Sequence, residues 1–102
     1  LNQYDDAIEH LEWAVAYKYD YFEAHNNLGV ANKNIGEVSN ATKNFEKAIE
    51  INPSYTMAIL NLGLIHKDLG QNEESAFCFE KVLDIEPDND QAKVNLEELR
   101  SQ

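Results

Sequence analysis

The chain is short of the residues that cross-linked, catalytic or membrane-spanning proteins require. Its single cysteine, Cys78, excludes an internal disulfide and favours a reducing, intracellular setting. No run of about 18 apolar residues is present to cross a bilayer as a helix, and the first residues lack the basic stretch and apolar core of a signal peptide. Basic residues are scarce: eight Lys and Arg against nineteen Asp and Glu give a formal net charge of −11. Binding to phosphate depends on clustered cations that release counterions, so neither nucleic acid nor an acidic membrane surface is expected as a partner. The three histidines, His10, His25 and His66, lack metal-ligand spacing, and no metal or cofactor is expected. Asp84 to Asp90 is acidic but lacks the spacing and central glycine of a calcium loop. No Ser, His and Asp set and no glycine-rich phosphate loop stands out, which argues against an enzyme active site. With 43% hydrophobic residues, a chain of this length can bury one modest core.

What the chain does have is a period. Leu28-Gly29, Gly36, Phe45-Glu46-Lys47 and Pro53 recur 34 positions later as Leu62-Gly63, Gly70, Phe79-Glu80-Lys81 and Pro87. A fixed period of roughly 20 to 50 residues marks a stacked repeat array, whose function lies on an extended surface and not in a closed pocket. On these residues the chain resembles the tetratricopeptide repeat family from end to end. That resemblance implies an all-α fold, a right-handed superhelical solenoid of antiparallel helix pairs with about six helices. In the family's frame, residues 1–21 supply the second helix of a partial repeat, 22–55 and 56–89 are full repeats, and 90–102 form a C-terminal capping helix.

Local chemistry predicts the boundaries separately. Asp20, Ser54 and Asp88 precede apolar helical periodicity and are expected N-caps, with Glu23 and Gln91 completing capping boxes. Gly36 and Gly70 stand where each first helix must stop, with Asn2 at the equivalent place upstream. Pro53 and Pro87 stop the second helices, while Tyr19 takes that place in the partial repeat. Ala41, Phe45, Ala48 and Ile49, matched by Ser75, Phe79, Val82 and Leu83, form one apolar stripe per second helix. Gly29 and Gly63 would let the helices of a pair approach closely. Glu97 replaces that glycine in the last helix, which therefore reads as a solvent-facing cap. Ile8, Leu11 and Val15 lack a covering helix, so the chain is expected to be a piece of a longer repeat protein or to have that face covered by something else.

In the family the first helices line a concave groove. Carried across, its groove positions here include Asn26, Asn27, Val30, Lys33, Met57, Leu60, Asn61, Leu64, Lys67, Val94, Asn95 and Glu98. Asn27, Asn61 and Asn95 make a ladder at one-repeat spacing, similar to the asparagine ladder in the repeats of the O-linked N-acetylglucosamine transferase. A carboxamide donates and accepts, so such a column suits the backbone of an extended peptide. The other reading is an asparagine satisfied within the scaffold. Family members that clamp chaperone tails use Lys and Arg at positions held here by Asn26, Asn27, Val30, Met57 and Asn61, so that use is not expected.

The expected function is a non-catalytic scaffold that binds an extended or helical peptide segment of another protein. Asn27, Asn61 and Asn95 would orient the peptide, Leu60, Leu64 and Val94 would bury it, and Lys33 and Lys67 would favour acidic groups. Two alternatives stand beside it. Trp13, Tyr17 and Tyr21, in an aromatic cluster with Tyr19 and Phe22, would support self-association into a homo-oligomer through the first helix. The chain would otherwise be the substrate-holding portion of a larger enzyme. Cys78, His25 and His66 are expected to pack rather than react.

Overall fold

Each apolar stripe finds a facing helix. The computed structural model describes Ala7, Ile8, Glu12 and residues 21–102. Among these residues there are five helices: α1 (Phe22–Asn34), α2 (Val38–Ile51), α3 (Thr56–Asp68), α4 (Asn72–Ile85) and α5 (Asp90–Arg100). The fold is an all-α helical repeat, and the chain divides into two compact units, Leu1–Tyr55 and Thr56–Gln102. In the first, α1 packs on α2; in the second, α3 packs on α4 and α4 on α5. The helix expected within residues 1–21 falls largely outside the described residues.

The packing follows the predicted stripes. Ala41, Phe45 and Ala48 on α2 are fully buried, as are Ser75, Phe79 and Val82 on α4, while Ile49 and Leu83 are half-buried at the edge. The glycines explain how the rings fit. A Cβ at Gly29 would sit 2.6 Å from the Phe45 ring, and one at Gly63 would sit 2.9 Å from the Phe79 ring and 3.0 Å from Cys78 Cβ. Both distances lie far inside van der Waals contact, so each glycine is the space its phenylalanine occupies. Ser75 keeps its place in the stripe because its hydroxyl donates to the Gly63 carbonyl oxygen at 2.8 Å.

The first helices end as their glycines predict. Gly36 and Gly70 have φ of +86° and +75°. After α1, Gly36 N–H donates to the Lys33 carbonyl at 3.1 Å and Glu37 N–H to that of Asn32 at 2.8 Å. After α3, Gly70 pairs with Lys67 at 3.0 Å and Gln71 with His66 at 2.8 Å. Both are Schellman closures, which satisfy carbonyls the helix leaves open. The second helices stop two residues before Pro53 and Pro87, where Asn52 and Glu86 are forced out of helical geometry, with φ near −132° and −127°.

The starts of the helices correct the sequence reading. α1 begins after Tyr21, which makes no side-chain cap bond, and Asp20 lies outside the described residues. α3 begins at Thr56, and Ser54 instead donates its N–H to Asn52 Oδ1 at 3.2 Å within the turn. α5 is capped by Asn89, not Asp88: Asn89 Oδ1 accepts from Ala92 N–H at 2.9 Å. These three helices therefore start one residue later than expected, Ser54 is not an N-cap, and the capping box expected of Asp88 with Gln91 gives way to the Asn89 cap. Only the third start offers a side chain short and polar enough to reach the first-turn amides.

Candidate functional site

The outward side chains of the first-type helices divide into those the fold has consumed and those it leaves in water. On α3, Met57, Asn61, Leu64 and Lys67 follow one another at helical spacing along one face. Met57 is 56% exposed, Asn61 and Leu64 are half-buried, and Leu60 is buried. Leu60 is thus part of the core, and the expectation that it meets a ligand is corrected. On α5, Val94 is 51% exposed and Glu98 is also exposed.

Lys67 joins these two helices. Its ammonium donates to Asn95 Oδ1 at 2.8 Å and to the Glu98 carboxylate in an ion pair. Asn95 in turn donates through Nδ2 to the Gln91 carbonyl at 2.7 Å. The cation expected to attract acidic groups is therefore neutralised by its neighbour, and one rung of the ladder holds the scaffold together. Neither link was legible beforehand, because Lys67 and Glu98 are 31 residues apart and meet only when α5 lies alongside α3.

In the first unit, Asn27 and Val30 are exposed on α1 and Lys33 is half-buried in its last turn. Asn26 is only 1% exposed, so its expected place in the groove is also corrected. Its side chain hydrogen-bonds Tyr55, whose hydroxyl pKa is raised by burial and by the negative charge of Glu23 and Tyr21, with the Asn26 bond opposing. Tyr55 also meets Phe22 edge to face, with ring centroids 4.8 Å apart, so the first residue of the repeat touches its last. Tyr21 is 42% exposed, whereas Trp13 and Tyr17 lie outside the described residues.

The second repeat is fastened at the same place by polar chemistry. Thr56, the first residue of α3, donates its hydroxyl to Glu86 Oε2 at 2.9 Å, and Asn89 Nδ2 donates to Glu86 Oε1 at 3.0 Å. The two bonds, that of Asn89 foremost, hold the Glu86 carboxyl below its ordinary pKa. The acidic segment from Asp84 to Asp90 is accordingly a turn with a cap, and among the described residues no cluster suited to a metal ion occurs. His25 is buried, and half-buried His66 hydrogen-bonds Gln71 at 2.6 Å. Burial raises the Cys78 thiol pKa against the pull of Lys81, the reverse of what activates a nucleophile.

Comparison with known proteins places this geometry. Family models described as "Tetratricopeptide repeat" match residues 22–55 and 58–89, and one described as "TPR repeat" matches residues 1–36. The first TPR of Spaghetti (RPAP3) bound to the HSP90 peptide SRMEEVD is 25% identical, with a TM-score of 0.92 over 97% of this chain and 79% of that one. The second TPR domain of human RPAP3 in complex with the HSP70 peptide SGPTIEEVD is 29% identical, with a TM-score of 0.89 over 98% and 83%. MamA is 30% identical, with a TM-score of 0.91 over 96% of this chain and 57% of its own length. No curated protein sequence matches the chain.

Proposed function

Because this chain carries tetratricopeptide repeats, we propose that it is a non-catalytic protein-interaction module whose first-type helices receive a peptide segment of another protein. The observation that carries the reading is the exposure of Met57 and Val94, at 56% and 51%, on helices whose other faces are packed. Two of the similar structures hold peptides, which supports the same use here.

The peptides in those structures are acidic, and this chain is poorly equipped for such a ligand. Its clamp-equivalent positions carry no cation, and Lys67 is already paired with Glu98. The surface of the second unit instead suits an extended segment with apolar side chains for Met57, Leu64 and Val94, its backbone meeting Asn61 and Asn95; Asn27 and Val30 are exposed on α1 of the first unit. A carboxamide has two N–H groups and two acceptor sites, so Asn95 keeps one of each after its two internal bonds. Each peptide bond to such a group contributes about 0.5 to 1.5 kcal/mol net, so apolar burial must supply the rest of the affinity.

Selection of a random peptide library against the whole chain tests this. Sequences that bind the parent but not a Met57→Asp, Val94→Asp variant of unchanged helicity would support the reading. Retained binding to that variant would move the interaction elsewhere. An Asn27→Ala, Asn61→Ala, Asn95→Ala variant then reports whether the asparagines grip the peptide or serve only the scaffold.

A further inference from the structure

The two full repeats show which positions the fold needs and which it does not. Position for position, α2 and α4 carry equivalent buried residues, Phe45 with Phe79 and Ala48 with Val82. Their outward positions part company. Where α2 has Ser39, Asn40 and Lys43, α4 has Glu73, Glu74 and Phe77. Phe77 is 67% exposed, so the scaffold neither requires nor hides it.

The ring lines a shallow depression of about 350 Å³ with Glu80, Lys81 and Asp84. Residues three and four apart are neighbours on a helix, so Glu73, Glu74 and Glu80 also flank it, with Asp84 one turn further along. Among the described residues none of these four carboxylates is in an ion pair. On α2 the equivalents of Lys81 and Asp84, which are Lys47 and Glu50, pair at 3.5 Å. An exposed aromatic ring among unpaired carboxylates is complementary to a cation with a flat, weakly hydrated face.

We propose that this outward face of α4 docks an arginine-bearing segment of another protein, a guanidinium lying over Phe77 and neighbouring cations meeting Glu73, Glu80 and Asp84. Arginine fits better than lysine because its planar group stacks on the ring while its N–H groups still reach carboxylates. A second copy of the chain is a poor occupant: its eight basic residues include one arginine, Arg100, and no two are adjacent. The residues of this site are distinct from those of the peptide surface on α3 and α5.

Fluorescence anisotropy of a labelled peptide of alternating Arg and Gly, titrated with the whole chain, tests the proposal against a Lys and Gly peptide of equal charge. Phe77→Ala, which removes no charge, weakens the Arg peptide roughly three- to tenfold and the Lys peptide by less than about twofold. Glu80→Gln with Asp84→Asn weakens binding too. Glu46→Gln with Glu50→Gln, the same loss of charge on α2, leaves it within about twofold. Circular dichroism confirms that each variant keeps its helicity. The proposal is overturned by no binding at low salt, by an unaffected Phe77→Ala, or by equal losses in the two double variants, which would reveal a general attraction to a polyanion.

Discussion

One methyl group separates Gly29 from alanine, and the buried ring of Phe45 already fills the place it would take. We expect Gly29→Ala to lower the free energy of unfolding by about 1 to 3 kcal/mol in a urea titration. Alanine's advantage as a helix former, about 1 kcal/mol, works against that loss and does not cancel it. An unchanged midpoint would mean that the Phe45 ring can withdraw. Phe79→Ala makes the complementary cavity and should cost about 3 to 5 kcal/mol in the same titration. Gly36 presents the opposite case, because nothing lies within 4 Å of its added Cβ and only its left-handed φ of +86° matters. These three glycine and phenylalanine roles were legible in the sequence, because spacing alone sets which residues face one another. The burial of Asn26 was not, since a polar residue at a surface-like position enters the core only when a partner such as Tyr55 is brought to it.

At the scale of the element, the helix ends were legible and the helix starts were not. Only glycine readily adopts the backbone that Gly36 and Gly70 show, whereas several neighbouring side chains with oxygen atoms compete to cap a start. Asn89 wins over Asp88, and Asn89→Ala should therefore cost about 0.5 to 2 kcal/mol by thermal or urea unfolding, with Asp88→Ala close to neutral. The turn that Asn89 closes also carries a dependence on pH. Glu86 has a lowered pKa in the folded chain, so its contribution is present above the unfolded value and is lost as the pH falls through the folded one. Stability measured from neutral pH down past about 4 should accordingly decline less steeply in Glu86→Gln than in the parent. Parallel curves would show that Thr56 and Asn89 hold the protonated acid equally well.

For the whole molecule, a net charge of −11 spread over 102 residues opposes compaction by self-repulsion, and added salt screens it. The midpoint of thermal unfolding should rise as sodium chloride is increased from low ionic strength, and a flat profile would mean that the carboxylates are spaced widely enough to ignore one another. The helical-repeat architecture was legible because its period is written in the residues that pack. The candidate surface was legible only as a set of positions. Which of them remain available depended on links such as Lys67 to Asn95 and Glu98, which only folding brings together. Phe22 against Tyr55, and Thr56 with Asn89 on either side of Glu86, join the first residue of each repeat to its closing turn. A coding segment of this kind is a self-contained word. Copied in tandem or deleted whole, it brings or removes its own fastening, so an array can change length in single genetic steps while every remaining repeat still closes on itself.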